Sequence, residues 1–483
     1  MLTKQIRLTK ELVNELQMLV EWGLYPNISE AIRDAVRRLI TGRDQPLNIK
    51  PIDKPVDKKE VRKVQEKVVK EIKEQFQKPT GTIDFYPEEE SIKNNIFNKL
   101  KKAAVNFGFL EVDVPIIESL DLLKAKQGEE ITSQIFTIEK KGDEEFAIRA
   151  EFTPSLARMF VAKQKALAKP VKWFCINKVL RYERPQKGRL REFFQFNCEV
   201  YGSDKPEADS ECINLIISSL KSLGLTENDF TIKLNNRKLM QGLLSELGDV
   251  NKILAILDKK RKISDDEFNE LLKEVGLDDS KIDKLNQLLI TPVDKIKVNN
   301  DTAKQGLEEL KQILNLVDTK FVDFDFETVR GLAYYTGTVF EVFDKAGKFR
   351  SIAGGGRYDQ MIELFKGEPT PATGFALGYA TLSLLLEDKK LIPVPNTAPD
   401  YYIAIVNEEA RNEAFKVANK LREKYKVEID ISRRNLGNQF KYANKIKAKK
   451  VIVLGPDEIK SKKVNVKDMD TGKQETISLD DFS

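Results

Sequence analysis

The segment from Phe174 to Gly202, FCINKVLRYERPQKGRLREFFQFNCEVYG, constrains the fold of this chain more strongly than any other stretch. Residues of alternating character flank a turn at Pro185-Gln186-Lys187-Gly188, which predicts two antiparallel strands joined by a loop. The hairpin is rich in basic side chains, namely Lys178, Arg181, Arg184, Lys187, Arg189 and Arg191. Because arginine forks match phosphate oxygens, a triphosphate or an RNA end is the expected ligand. A charged hairpin on a solvated edge is the alternative, but it does not explain so many arginines beside Phe193-Phe194.

The composition is that of a multidomain protein without a membrane segment. The 483 residues are 41% hydrophobic and 33% charged, and three or four domains are expected at ~100–200 residues each. No apolar run reaches the ~18 residues that span a bilayer, and the polar N-terminus has no signal core. Cys175, Cys198 and Cys212 form no C-x-x-C pair, which indicates a reducing compartment. We therefore expect a cytoplasmic protein with no membrane partner.

The sequence contains no histidine. This excludes Ser-His-Asp and Cys-His nucleophilic sites and every histidine-ligated metal centre. Catalysis must then use carboxylates, arginines, tyrosines, backbone amides and ions that the substrate brings, so no metal site of the protein's own is expected.

The positive charge is concentrated at the N-terminal end. The formal net charge of the chain is +5, and residues 1–79 alone carry +5. This asymmetry predicts a polyanionic partner for that end, and a solvated basic linker is the alternative. Residues 41–59 are rich in Pro, Asp and Lys and indicate a linker, followed by an amphipathic helix with an apolar stripe from Val61 to Phe76.

The first forty residues predict a strand and two helices. Ile6 and Leu8 alternate with the polar residues Thr3, Gln5 and Arg7, and a turn at 23–27 separates two helical patterns. Ser29 is the expected N-cap of the second helix. Because one strand cannot bury both faces, the unit is expected to dimerise through a two-stranded ribbon.

In IRLTKELVNEL and PNISEAIRDAVRRLI this unit resembles the ribbon-helix-helix repressors. The resemblance implies that Thr3, Gln5 and Arg7 read base edges in the major groove of double-stranded DNA. It also implies that the helix start at Ile28 and Ser29 holds a phosphate. A dimerisation module that never contacts DNA is the alternative.

Farther along, helical and strand patterns alternate in blocks. Residues 80–235 mix both, residues 236–315 are charged and helical, and strand patterns return at 321–360. The tail, 398–483, alternates strand and helix as a βαβαβ unit, with a helix to Tyr425 and a mainly parallel sheet expected.

The basic hairpin resembles motif 2 of class II aminoacyl-tRNA synthetases in its histidyl form. Four further segments agree in family order. GFLEVDVPIIES at 108–119 resembles the dimer-forming motif 1, and AIRAEFTPSLARM at 147–159 the amino-acid-binding strand. RGLAYYTGTVFE at 330–341 and SIAGGGRYDQ at 351–360 resemble two signatures of histidyl enzymes. The tail resembles the class IIa anticodon-binding domain, where Arg433, Arg434, Lys441 and Lys445 face either RNA or solvent.

The resemblance implies an α+β fold class: an antiparallel-sheet catalytic domain with a helical insertion, a C-terminal α/β anticodon-binding domain and an N-terminal ribbon-helix-helix. The expected parts are the ribbon-helix-helix module at 1–43, a linker and amphipathic helix at 44–78, the catalytic domain at 79–235 and 319–392, the insertion at 236–318, and the anticodon-binding domain at 398–483.

The resemblance also implies a reaction in which the histidine carboxylate attacks the α-phosphate of ATP, and histidine tRNA then receives the histidyl group. The nucleophile is already ionised, so positioning and charge stabilisation carry the catalysis. Arg181 is expected to hold the α-phosphate and Arg330 to neutralise its growing charge. Glu183 and Phe193 are expected to bind adenine, and Arg189 the far phosphates bridged by Mg²⁺.

For the amino acid, the resemblance implies that Glu151 and Thr153 bind the ammonium group with help from Gln195. Glu199 and Tyr335 are expected to contact the two imidazole nitrogens, and Tyr358 to line the pocket. Such a buried polar pocket rejects apolar competitors because they leave its groups unpaired.

Two positions depart from the family pattern. Motif 3 normally carries an arginine for the γ-phosphate, and Thr381 stands there. A lost charged hydrogen bond costs roughly 1.5–3 kcal/mol, and Arg189, Arg191 and Arg357 are the candidate replacements. Phe194 occupies a position where the family often has histidine.

Three interpretations remain open on the sequence. The first is a homodimeric histidine–tRNA ligase whose N-terminal module binds DNA for autoregulation. The second is a histidine-sensing transcriptional regulator built on a catalytically weakened synthetase body, which Thr381 favours. The third is a non-catalytic subunit of histidine biosynthesis, disfavoured by the two intact signatures. The lack of histidine suggests synthesis during histidine starvation, with laboratory replacement of every histidine as the alternative.

Overall fold

The computed structural model describes residues 10–21, 25–41, 77–126, 133–140, 142–329 and 334–479. The chain divides into two compact units, residues 1–84 with 184–192, and residues 85–183 with 193–483. The predicted strand with Thr3, Gln5 and Arg7, the helix predicted after residue 60, and Arg330 lie outside the described residues. Within the described ranges, no helix is long and apolar enough to cross a membrane.

The first unit contains two helices, α1 (Lys10–Glu21) and α2 (Ile28–Thr41). Leu16, Leu19 and Ala31 are buried. The prediction that Ser29 caps the second helix is wrong: α2 begins one residue earlier, and the Asn27 side chain accepts a 3.0 Å hydrogen bond from the Glu30 backbone amide. Asparagine caps helices as well as serine does because its side-chain oxygen reaches the free amides of the first turn.

The basic loop, residues 184–192, belongs to the same unit as residues 77–84. Gln186 and Arg189 exchange backbone hydrogen bonds of 3.0 and 2.8 Å, which closes a turn through Lys187 and Gly188. The Arg191 amide donates to the Gly81 carbonyl at 2.8 Å. Gly81 has φ +85°, and a Cβ there would lie 2.9 Å from Arg191 Cγ, so the contact needs glycine.

The second unit mixes helices and strands. Its helices are α3 (Pro87–Asn106), α4 (Leu120–Lys126), α5 (Thr153–Lys163), α6 (Pro206–Ser222), α7 (Arg237–Ser245), α8 (Val250–Leu257), α9 (Asp265–Glu274), α10 (Asp279–Ile290), α11 (Asp301–Leu316), α12 (Met361–Leu364), α13 (Tyr379–Asp388), α14 (Arg411–Leu421), α15 (Leu436–Lys445) and α16 (Pro456–Ser461). Its strands before residue 400 are β1 (Leu110–Glu111), β2 (Ile117–Ser119), β3 (Phe146–Ile148), β4 (Val171–Leu180), β5 (Glu192–Tyr201), β6 (Phe230–Asn236), β7 (Val322–Phe324), β8 (Thr338–Asp344), β9 (Ala353–Arg357) and β10 (Ala372–Gly378).

An eight-stranded sheet forms the centre of this unit, in the order β1-β4-β5-β10-β9-β8-β6-β7. The successive pairs from β5 to β6 are antiparallel, and the outermost pairs, β1 with β4 and β6 with β7, are parallel. The predicted pair of strands around the basic loop is present as β4 and β5, which are neighbours in the sheet. The class II synthetase fold, with its large antiparallel sheet, is confirmed.

The two faces of this sheet carry different side chains because successive residues of a strand point to opposite sides. One face of β5 packs into the main hydrophobic core with α3 and α6, through Phe194, Phe196, Cys198 and Val200. The other face presents Phe193, Gln195, Asn197, Glu199 and Tyr201. That second face, called the polar face below, positions the candidate site.

Five helices, α7 to α11, lie between residues 237 and 316, where the sequence predicted helices. Each begins after a residue whose side-chain oxygen accepts a backbone amide of the first turn, and these residues are Asn236, Asp249, Ser264, Asp278 and Asn300. Such caps each stabilise a helix by ~0.5–2 kcal/mol relative to alanine.

The tail forms a separate five-stranded sheet in the order β12-β11-β13-β14-β15, with β11 (Tyr401–Ile405), β12 (Val427–Ile429), β13 (Lys450–Leu454), β14 (Lys463–Asp468) and β15 (Gln474–Ser478). The predicted βαβαβ unit is confirmed by the parallel pairs β11–β12 and β11–β13. The expectation of a mainly parallel sheet is wrong, because β14 and β15 add two antiparallel pairs. Gly472, at φ +73°, permits the tight turn that joins them.

Candidate active site

On the polar face, the next two strands on one side of β5 carry only glycine and alanine beside Gln195, Asn197 and Glu199. Across the β5–β10 ladder, Gln195 pairs with Gly378, Asn197 with Ala376 and Glu199 with Gly374. On the next strand, Gly354 and Gly356 pair with Ala376 and Gly374. Directly paired residues share a face of the sheet. A strip of glycine and alanine residues, called the trough below, therefore lies beside the polar residues.

Glu199 is a buried carboxylate at the centre of the candidate site. It is 1% exposed. Its Oε1 accepts hydrogen bonds from Thr153 Oγ1 at 2.9 Å and from Asn197 Nδ2 at 2.7 Å. Thr153 is the first residue of α5, so the helix start and strand β5 fix the carboxylate between them. Of the predicted histidine-binding residues, the structure thus joins Thr153 to Glu199 directly.

Two glycines make this arrangement possible. A Cβ on Gly374 would lie 2.0 Å from Glu199 Oε2, inside any allowed contact. A Cβ on Gly356, where φ is +153°, would lie 2.2 Å from the Thr338 carbonyl oxygen and 2.9 Å from Tyr335 Cε1. Gly374 thus leaves space for Glu199, and Gly356 leaves space for Tyr335.

Tyrosines form one wall of the trough. Tyr201, Tyr335 and Tyr358 belong to one buried cluster. The rings of Tyr334 and Tyr335 are tilted by 40° with their centroids 4.4 Å apart, and the Tyr334 hydroxyl donates to the Tyr335 hydroxyl at 3.2 Å. Tyr201 stacks on Phe160 at 4.6 Å. The sequence predicted Tyr335 and Tyr358 here, and it missed Tyr201 and Asn197.

Three buried polar atoms on this side have no hydrogen-bond partner among the described residues: Gln195 Oε1, Tyr201 Oη and Tyr358 Oη. Their residues are 7%, 0% and 3% exposed. A buried polar group left unsatisfied costs roughly 1–3 kcal/mol. Burial also raises the pKa of Tyr201 well above its ordinary value, with a further contribution from Glu199. These tyrosines and Gln195 are suited to a polar ligand that enters the trough.

The nucleotide-binding candidates lie at the other end of the polar face. The Arg181 guanidinium carbon is 5.7 Å from the Phe193 ring centroid, and Arg181 Nε donates to the Ala150 carbonyl at 2.9 Å. The Glu183 amide donates to the Arg181 carbonyl at 2.9 Å. Glu151 is half-buried beside Thr153 in sequence. Arg189 lies in the first unit, where its backbone closes the turn with Gln186.

Arg149, which the sequence analysis did not single out, connects the strand segments around the site. Its guanidinium donates to the carbonyls of Val114, Pro115 and Lys178. It is 2% exposed, and burial lowers its pKa. Its role could not be found from spacing because all three partners are backbone atoms.

Arg357 is not available as a replacement for the missing motif 3 arginine. It is 3% exposed, and it donates to the buried Asp209 at 2.7 and 3.0 Å and to Asp359 at 3.1 Å. It also donates to the carbonyls of Ser203 and Lys205. The guanidinium is thus held in a buried ion-pair network, while Thr381 is buried in the first turn of α13.

Phe194, where the family often has histidine, lies on the core face rather than on the polar face. Its ring is 5.2 Å from Phe97 and 5.9 Å from Phe85, and Lys93 Nζ lies 4.5 Å from its centroid. This departure therefore changes the packing behind the sheet and leaves the trough intact.

The basic residues of the tail have different surroundings. Arg434 pairs with the buried Asp430 at 2.9 Å and lies 4.2 Å from the Tyr442 ring. Arg433 is exposed and pairs with Glu408 at 3.4 Å. Lys441 and Lys445 are exposed.

Comparison with known proteins agrees with this architecture. The family model described as Histidyl-tRNA synthetase matches residues 81–382, and the anticodon binding domain matches residues 400–483. Histidine–tRNA ligases of Haloarcula marismortui and Natronomonas pharaonis are 37% and 39% identical, over 83% of this chain and 95% and 96% of theirs.

Among solved structures, histidyl-tRNA synthetase from Nostoc sp. PCC 7120 matches with a TM-score of 0.72, covering 84% of this chain and 98% of that one. At 24% identity this likeness supports the fold. The family model covers more than half of the chain, and the curated relatives exceed 30% identity over nearly their full length. The chain therefore belongs to the histidyl-tRNA synthetase family.

Proposed function

We propose that the trough beside β5 is where this chain performs the histidine–tRNA ligase reaction of its family. Histidine and ATP form histidyl-adenylate with release of pyrophosphate, and the histidyl group then passes to histidine tRNA with release of AMP. The observation that carries the proposal is the set of buried polar atoms of Gln195, Tyr201 and Tyr358 around the doubly hydrogen-bonded Glu199. A zwitterionic amino acid with an imidazole ring supplies the donors and acceptors that these groups need.

In this proposal Glu151 and Thr153 bind the ammonium group of histidine, and Gln195 Oε1 accepts from it. Glu199 and Tyr335 contact the imidazole nitrogens, and Tyr358 closes the pocket. Rejection of apolar amino acids follows, because these would bury the same polar atoms without partners.

The nucleotide occupies the end of the polar face near Arg181. Arg181 binds the α-phosphate, Phe193 stacks on adenine and Glu183 accepts from its amino group. Arg189 binds the far phosphates, whose charge Mg²⁺ carried by ATP also balances. Arg330 stabilises the charge that grows on the α-phosphate as the ionised carboxylate attacks, so no protein base is needed.

We further propose a cytoplasmic homodimer with the domain boundaries given above. Exposed apolar side chains support the dimer, since Val105, Leu110, Ile116 and Ile117 are 59%, 67%, 45% and 46% exposed in or just before the segment that resembles motif 1. β1 is also the outermost strand of the sheet, so one of its edges is open for pairing. The tail binds the anticodon stem of the tRNA.

The N-terminal module is proposed to bind double-stranded DNA through Thr3, Gln5, Arg7 and Ser29, which lies in the first turn of α2. The concentration of the net charge of +5 in residues 1–79 supports a polyanionic partner. A salt titration of binding to the upstream DNA of its own gene tests this. Affinity must fall steeply as salt rises, and salt-independent or absent binding overturns it.

The test of the ligase is histidine-dependent exchange of pyrophosphate into ATP, followed by charging of histidine tRNA. Robust exchange that Arg330→Ala abolishes supports the proposal and shows that Thr381 is tolerated. Histidine binding without any exchange contradicts the ligase proposal and favours the histidine-sensing transcriptional regulator instead.

A further inference from the structure

Asn197 occupies the centre of the polar face, between Gln195 and Glu199. It is 1% exposed, and its cross-strand neighbour on β10 is Ala376. Its Nδ2 donates to Glu199 Oε1 at 2.7 Å. The assignment of nitrogen to this contact follows from chemistry, because an ionised carboxylate only accepts hydrogen bonds and the amide must present its NH₂ group.

Two donors therefore converge on one oxygen of Glu199. Thr153 Oγ1 approaches from the start of α5 and Asn197 Nδ2 from the same strand. Hydrogen bonds to a carboxylate favour its ionised form, and two donors on one oxygen fix its rotation. Gly374 leaves the space that Oε2 occupies. The carboxylate is thus held in one orientation before any ligand arrives.

We propose that Asn197 is a positioning residue that sets the affinity and selectivity for histidine by orienting Glu199. The inference rests on the proposed function, in which Glu199 contacts the imidazole ring. Asn197 acts through Glu199, so its loss weakens recognition of histidine while leaving the ATP end of the trough unchanged.

The experiment measures pyrophosphate exchange by the full chain at varied histidine and varied ATP. Asn197→Ala is expected to raise the KM for histidine about tenfold, the effect of losing one hydrogen bond to a charged group, with the KM for ATP changed less than twofold. Cys198→Ala is the matched control: it is the next residue of β5, equally buried, and faces the core. It is expected to leave both KM values within twofold of wild type.

The pH dependence of the KM for histidine in Asn197→Asp distinguishes a positioning role from a packing role, because a residue that only packs gives no such dependence. Asn197→Asp keeps the side-chain volume but places a second carboxylate 2.7 Å from the first. In this buried site the two carboxylates share one proton, and they repel each other only at the higher pH where that proton is lost. The ratio of the KM for histidine of Asn197→Asp to that of wild type must therefore fall as pH is lowered from the alkaline end of the range.

The outcomes separate the two claims. No exchange by wild type contradicts the proposed function itself. Wild-type exchange with an unchanged KM for histidine in Asn197→Ala overturns the inference alone. If Asn197→Ala does not fold, the test is the KM for histidine of Asn197→Asp divided by that of wild type. A ratio that does not change with pH overturns the inference, and a ratio that falls on acidification supports it.

Discussion

The two faces of strand β5 differ: one packs apolar side chains into the core, and the other buries polar side chains. The core face, Phe194 to Val200, packs apolar groups against α3 and α6. The polar face buries Gln195, Asn197, Glu199 and Tyr201 but leaves Gln195 Oε1 and Tyr201 Oη without partners among the described residues. A strand that served only stability would not bury such groups unpaired, since each costs roughly 1–3 kcal/mol. The difference indicates that the polar face is kept for a ligand and the core face for the fold.

The largest expected effect is at the nucleotide end of the polar face. Arg181→Ala removes a guanidinium that lies beside Phe193 and is proposed to stabilise charge on the α-phosphate. Loss of one such donor slows catalysis by roughly 10²–10³-fold. Single-turnover formation of histidyl-adenylate measures this, with Arg158→Ala as the control for removing an arginine outside the trough. A rate within tenfold of wild type would remove Arg181 from the chemistry.

On the core face, Phe196→Ala is expected to lower the free energy of unfolding by about 3–5 kcal/mol, the cost of a large cavity. Phe196 is 2% exposed and contacts Phe174 and Phe375. Denaturant unfolding measures the loss. If the variant is as stable as wild type but loses histidine binding, the assignment of the core face to stability and the polar face to ligand binding is wrong.

Gly374→Ala tests the space on the polar face. Its Cβ would lie 2.0 Å from Glu199 Oε2 and 2.5 Å from the Cys198 carbonyl oxygen, so the carboxylate and the neighbouring β5 backbone must both move. Misplacement of a binding group by about 1 Å costs up to 10²-fold, and the KM for histidine is expected to rise by roughly that factor. Gly437→Ala is the control, since its nearest neighbour would be 3.8 Å away. Equal KM values for the two variants contradict the role of glycine in the trough.

The smallest expected effect is a pH dependence of the core face. Burial, with a contribution from Glu90, raises the pKa of Tyr379 to about 12, whereas an unfolded tyrosine titrates near ~10. The folded pKa is the higher one, so the stabilisation is complete below pH ~10 and is lost as pH rises toward 12. Tyr379→Phe must therefore lose less stability than wild type between pH 10 and 12. Parallel losses in both proteins would show that Tyr379 does not titrate there.

Some of this comparison could be predicted from the sequence. The family resemblance predicted Glu199, and the alternation of residues 192–201 places Gln195, Asn197 and Tyr201 on the same face, so alternation could have added Asn197 and Tyr201. The alternation cannot show that Gly374 and Ala376 lie opposite them, because pairing of β5 with β10 joins residues far apart in the chain.

The other errors concern Arg357, Arg149 and the cap of α2, and each has its own cause. Arg357 was a candidate for a phosphate, but Asp209 lies 148 residues away in sequence and accepts from it in the core. Arg149 was missed because its partners are carbonyl oxygens, which every residue has. The cap of α2 was misplaced by two residues because asparagine and serine both serve and only the start of the helix decides between them.

The most direct test of the central claim is calorimetric titration of histidine into wild type, Glu199→Gln and Cys198→Ala. Residues 198 and 199 are neighbours on one strand, are equally buried and point to opposite faces. The account predicts that Glu199→Gln binds histidine at least tenfold more weakly, while Cys198→Ala binds it as wild type does. Equal affinity in all three proteins, each folded, would contradict the assignment of the polar face to histidine.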